Sequence, residues 1–129
     1  MKITEQINKI INSKVFILFV FIVYFFFGIT IYKDFGISFD ENINRINGFV
    51  TLKYIFNLVN SNFDLNTFIA NLPNLQEYVD RWYGVVYDTS LAYLEVLLDI
   101  KNSRDIYLLK HLTNFIIFFI SSIFFFILC

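Results

Sequence analysis

The sequence predicts an all-α membrane protein, and three observations carry that prediction. Two runs, residues 15–32 and 112–129, each hold 18 residues without a charge, long enough for a helix to cross a hydrocarbon core of about 30 Å. The chain is 57% hydrophobic and 21% aromatic, with 18 Phe among 129 residues and a mean hydropathy of +0.62, which overrides the single soluble domain that its length alone would suggest. Between the runs, apolar residues recur at helical spacing. The expected architecture is two transmembrane helices joined by a long outer loop with about three interfacial helices.

Composition also removes several function classes. The net charge is −1, so no basic excess argues for nucleic acid. The one cysteine, Cys129, cannot form an internal disulfide, and no Cys or His cluster has zinc spacing.

In chain order, residues 1–14 form a cytoplasmic leader. It carries Lys2, Lys9 and Lys14 against Glu5, whereas residues 33–110 carry seven Lys or Arg against ten Asp or Glu. The positive-inside bias therefore puts the leader in the cytoplasm and the loop on the periplasmic or luminal side, as in a bacterial inner membrane. Ile3, Ile7, Ile10 and Ile11 recur at helical spacing, compatible with an interfacial helix or a plain start-transfer flank. Residues 15–32 are the first span. No small-residue cleavage site follows, only Ile31, Tyr32, Lys33 and Asp34, so the span reads as an uncleaved anchor.

The loop, residues 33–110, is too long for a turn and too apolar for disorder. Asp40 is a natural N-cap for a helix to about Val59, with Glu41 and Arg45 one turn apart in the favourable order. Ile43, Ile46, Val50 and Tyr54 form its apolar stripe, widened by Phe49, Leu52, Phe56 and Val59, and only the first two turns keep a polar face. Residues 60–72 read as a connection with at most one helical turn. Pro73 suits the first position of a short helix to about Trp82, with Leu75, Tyr78 and Val79 inward and Gly84 beyond it. Asp88, Thr89 or Ser90 can cap a third helix to about Ile100, with Leu91, Leu94 and Leu98 on one face and Leu97 beside them. Ser103 can cap the last helix, which becomes the second span at residues 111–129. No basic flank follows Cys129, so the expectation is a truncated reading frame or fragment of a larger multi-pass fold.

Asp40 and Glu41 are the leading candidates for chemistry, because an acidic pair beside a span must be solvated, paired or functional. Two readings stand side by side. Asp40 can be only a cap, with Glu41 paired to Arg45 and the helix dipole. Alternatively Asp40 is a general base that takes the proton of an attacking hydroxyl. Trp82, Tyr83 and Tyr87 can stack on sugar or sit in the aromatic belt, and the belt is the simpler reading.

The order of an N-in span, a short linker, an Asp-Glu pair, an amphipathic helix, a long loop with Tyr83-Gly84 and a second span resembles the start of membrane glycosyltransferases of the GT-C superfamily. Phe39-Asp40-Glu41 followed by Arg45, Asn47 and Gly48 is similar to the Asp-Glu motif in the first outer loop of enzymes related to dolichyl-phosphate-mannose protein mannosyltransferases (family 39) and to bacterial aminoarabinose transferases. The stretch from Ser103 to Leu112, SRDIYLLKHL, resembles their lead-in to the second span. The resemblance covers nearly all of this chain but only the beginning of the family.

It implies transfer of a sugar from a polyprenyl-phosphate donor to a hydroxyl acceptor outside the cytoplasm, with inversion at the anomeric carbon and Asp40 as base. Glu41, Arg45, Arg104, Lys110 and His111 are then substrate-contact candidates, the last three toward the lipid phosphate. A divalent metal at Glu41 stays open, since one carboxylate pair is not a complete Mg²⁺ or Mn²⁺ site. The partners implied are the lipid-linked donor, membrane lipid and further C-terminal spans of the same enzyme, and the short chain alone is expected to be inactive. Two competing readings are a two-span structural or interaction protein and, less well supported, a transporter subunit, since neither span holds a charge or a Pro break.

Overall fold

The computed structural model describes residues 13–59 and 67–129, and among them every regular element is helical. Five α-helices follow in order: α1 Lys14–Ile31, α2 Glu41–Leu58, α3 Thr67–Ala70, α4 Val86–Leu97 and α5 Ser103–Leu128. Two 3₁₀ turns, Tyr32–Asp34 and Leu75–Glu77, interrupt the connections. The chain divides into two compact units. One holds residues up to Phe35 together with Lys110–Cys129, and the other is Gly36–Leu109.

In the first unit, α1 and most of α5 are long and apolar enough to cross a membrane. Ser13 caps α1, its hydroxyl accepting from the Phe16 backbone N–H at 3.2 Å, which fixes the helix start just before the uncharged run. The two helices meet through ring edges: Phe21 against Phe119 and Phe126, Tyr24 against Phe115 and Phe119, and Phe25 against Phe119 at 5.1 Å between centroids. Gly28 is the gap in this ladder. A Cβ there would fall 1.9 Å from a ring carbon of Phe115, so the aromatic ring occupies the space that a side chain would need. The leader at residues 1–12, with its proposed helical Ile spacing, lies outside the described residues.

In the second unit, α2 packs along α4. Phe49, Leu52, Ile69 and Ala92 form the core, with Phe56, Leu72 and Val96 packed against it. The buried face of α2 differs from the expected stripe. Phe49, Val50 and Leu52 are inside, but Glu41 and Asn47 are buried with them, while Ile43 and Val59 face outward. The polar residues of the first turns are therefore on the packed side. Gly48 explains the close approach: a Cβ there would lie 2.4 Å from the backbone carbonyl oxygen of Asp88, so the two helices touch backbone to backbone.

Three expected elements are corrected by the structure. The helix from Pro73 is only the 3₁₀ turn Leu75–Glu77, followed by further turns. Continuing it would require the Gln76 carbonyl for the helical ladder, but the Arg81 guanidinium takes that carbonyl, and Val79 is exposed rather than inward. The third helix begins at Val86, ahead of Asp88, Thr89 and Ser90, with no side-chain cap, and it ends at Leu97. Asp99 stops it in the left-handed region at φ 48°, with Ile100 N–H donating back to the Glu95 carbonyl at 3.1 Å. The buried face of α4 is Ala92 and Glu95, and Leu97 and Leu98 are exposed. At the start of α5 the capping oxygen belongs to Asn102, which accepts from Arg104 N–H at 3.1 Å, and Ser103 is already helical.

Residues 60–66 are outside the description, and the one helical turn expected in this connection is α3. The carbonyl of its last residue, which a helix end leaves without a partner, is held by Lys53: the ammonium donates to Ala70 at 3.0 Å and, in the connection beyond, to Leu72 at 2.6 Å.

Candidate functional site

The approach to α2 has an extended backbone at Phe35, runs irregularly to Ser38 and then turns at Phe39 and Asp40. Glu41 N–H donates to Ser38 at 3.2 Å and Asn44 N–H to Asp40 at 2.9 Å, so Asp40 occupies the N-cap position through its backbone. Its side chain does not cap. Asp40 has helical dihedrals, φ −85° and ψ −7°, and makes no side-chain cap hydrogen bond, whereas a capping side chain works from an extended backbone. The carboxylate is exposed to the outside of the unit, beside the 91% exposed Phe39. The expectation of a side-chain N-cap is thus overturned.

Glu41 is buried, with only 8% of its surface exposed. It lies close enough to Tyr87 to influence its ionisation. Burial pushes the Tyr87 hydroxyl up to about 12, and the negative charges of Asp88 and Glu41 add to that shift.

Arg45 is paired with Glu95 of α4. Its guanidinium makes a two-pronged bond to Glu95, Nε to Oε2 at 2.8 Å and Nη2 to Oε1 at 2.5 Å, the geometry in which arginine binds carboxylate most strongly. The same group lies 5.0 Å from the Phe49 ring centroid and 5.2 Å from that of Phe68. The Arg45 and Glu95 side chains are 24% and 9% exposed. This clamp forms one wall of a cavity of about 600 Å³, whose rim includes Asp99, Lys101 and Ile106.

A second polar contact lies two residues further along α2: the Tyr78 hydroxyl donates to Asn47 Oδ1 at 2.6 Å. Burial, with a smaller effect of Asp80, raises the Tyr78 pKa.

Arg104 is exposed in the first turn of α5. Lys110 is half-buried and His111 buried, the latter with its ring edge-on to Phe35 at 6.1 Å. Asp40, Glu41, Arg45 and Arg104 belong to the Gly36–Leu109 unit, and Lys110 and His111 to the unit of the long apolar helices. Among the described residues no group of three or more His, Cys, Asp or Glu is placed to hold a metal ion, so these side chains do not fit a protein-built Mg²⁺ or Mn²⁺ cage at Glu41.

Glu95, Asn47, Tyr78 and Lys53 do structural work that sequence reasoning did not assign. Glu95 had a signal: it is the one charge in the apolar stretch LAYLEVLL, and a lone acid there implies a partner.

Fold and site together define an all-α protein with two helices long and apolar enough to cross a membrane and a compact helical unit between them in sequence, with a solvent-facing carboxylate at the start of α2. No protein-family model matches the chain, and neither does any curated protein or solved structure.

Proposed function

We propose that the chain is the N-terminal part of a multi-pass membrane glycosyltransferase of the GT-C type. It transfers a sugar from a polyprenyl-phosphate donor to a hydroxyl acceptor on the non-cytoplasmic side. The observation that carries this reading is the state of Asp40, whose side chain takes no part in capping α2 and faces outward. A carboxylate used as a cap would be committed to backbone N–H groups. This one is available to accept a proton.

In the proposed reaction the acceptor hydroxyl gives its proton to Asp40 as its oxygen bonds to the anomeric carbon. The bond from that carbon to the phosphate oxygen breaks, polyprenyl phosphate leaves with the electron pair, and the configuration inverts. Glu41, the next residue, orients the base or the acceptor. Arg104, Lys110 and His111 supply positive charge or hydrogen bonds toward the departing phosphate. Arg45 serves through its clamp with Glu95, which holds the first turns of α2 in place. No step runs through a metal. In this reading the leader is cytoplasmic, the span helices are α1 and α5, and the unit of residues 36–109 is periplasmic or luminal.

The test is sugar transfer by membranes carrying the intact reading frame, with Asp40→Asn compared at equal expression. Loss of the general base should lower transfer by about 10²- to 10⁴-fold. Unchanged transfer would return Asp40 to a helix start, whereas no transfer by the parent membranes would move the chain to the class of two-span structural or interaction proteins.

A further inference from the structure

The loop between the 3₁₀ turn and α4 is built unlike the rest of the second unit. Within eight residues it exposes Val79 (87%), Trp82 (83%), Tyr83 (67%) and Val86 (84%). These side chains are presented on a fixed scaffold. Arg81 N–H donates to the Tyr78 carbonyl at 3.4 Å and Tyr83 N–H to Asp80 at 3.1 Å, and the Arg81 guanidinium is tied to the Gln76 carbonyl. The root of the loop is anchored by the Tyr78 bond to Asn47. Keeping four large apolar groups in water on an ordered loop forfeits roughly 1.5–3 kcal/mol for each side chain that could be buried.

The apolar surface does not stop at the loop. Val85 and Val86 also line a groove of about 720 Å³ between α2 and α4, together with Leu52, Ile55, Phe56 and Tyr93. The mixture is that of a water–hydrocarbon boundary: an indole and a phenol, which favour the headgroup level, and aliphatic groups that favour the acyl boundary. The Arg81 guanidinium lies 5.0 Å over the Trp82 ring with one N–H on the Gln76 carbonyl, and the N–H groups left over can meet phosphate at the headgroup level. Asp80 beside it leaves the loop without net charge, which suits a zwitterionic surface.

We propose that loop 79–86, with the adjoining groove, is a membrane-docking surface whose occupant is the headgroup–acyl boundary of the bilayer. The proposal rests on reading α1 and α5 as membrane spans. Under that reading the unit is tethered at both ends, since α1 with its 3₁₀ turn ends at Asp34, two residues before Gly36, and α5 runs on from the unit's last residues. A bilayer surface is then always within reach at high effective concentration. Four apolar side chains suffice for stable contact because the tether has already removed most of the freedom that free association would cost.

The chain contains a single tryptophan, Trp82, so emission excited selectively at the indole reports on this loop alone. The full chain is reconstituted into phosphatidylcholine vesicles, and its emission is recorded with brominated lipids and, separately, with iodide. The expected result is a blue-shifted emission that loses most of its intensity to brominated lipid and little to iodide, and that disappears in Trp82→Phe. Emission quenched by iodide and not by lipid, from protein that resists alkaline extraction, overturns the docking surface while the spans stand. Shielding from both quenchers also overturns it, and places protein on the loop instead. If alkaline carbonate releases the chain, the spans fail and the proposal fails with them.

Discussion

At the scale of single residues, the contact between Gly48 and Asp88 can be weighed directly. Alanine at position 48 would gain about 1 kcal/mol of helix propensity, but its Cβ would lie 2.4 Å from a backbone carbonyl oxygen. Neither helix can yield by a side-chain rotation, and overpacking of this kind costs about 1–3 kcal/mol. Gly48→Ala is therefore expected to lower the thermal midpoint of the detergent-solubilised chain followed by circular dichroism. Tyr87 gives a test in pH. Its folded-state pKa, about 12, stands above the ordinary value of 10, so the folded state favours the neutral phenol. The stabilisation is fully present below pH 10 and is lost as the pH rises from 10 to about 12. Alkaline denaturation should be shallower in Tyr87→Phe than in the parent over that window, and equal slopes would remove the assignment. The position of Asp40 at the start of α2 was legible, because Asp before a helical run is a strong local signal. Its unused side chain was not, since that depends on backbone dihedrals that a residue type does not reveal.

At the scale of elements, the clamp between α2 and α4 decides how the second unit holds together. Removing one partner of a buried ion pair costs about 3–5 kcal/mol. Because Arg45 is a quarter exposed, the lower end of that range applies. Glu95→Ala and Arg45→Ala should each destabilise the unit by about 3 kcal/mol, and the double variant should cost less than the sum. Additive losses in denaturant titrations would show that the clamp is not a coupled pair. Local rules explain why this pairing escaped sequence reading. Glu41 and Arg45 satisfy the i, i+4 rule for a helical ion pair, but an exposed pair of that sort is worth only about 0.3–0.5 kcal/mol. The carboxylate 50 residues away, which meets Arg45 in a fork beside two aromatic rings, is invisible to such local spacing. The missing helix after Pro73 has a similar origin, because the Arg81 side chain claims a carbonyl that a helix would need.

At the scale of the whole molecule, the two long apolar helices were legible in full, since uncharged length alone is enough to mark them. How the remaining helices bury their faces was less so, because Gly48 and the two polar contacts of α2 turn its packed side toward Glu41 and Asn47. If, as proposed, the leader is cytoplasmic and α1 and α5 both span the membrane, Cys129 returns to the cytoplasmic side. It is exposed and is the only cysteine. A membrane-impermeant maleimide should therefore label it only after cells are permeabilised, and labelling of intact cells would reverse the proposed topology. The Arg45–Glu95 clamp carries a further consequence for how such a chain can change over time. Apolar residues of matching volume at both positions together can leave stability unaltered, yet either substitution alone passes through a lone buried charge. The two sites must drift as a couple, so a variant altered at 45 and intact at 95 would be expected to have found its compensation among the residues facing Glu95.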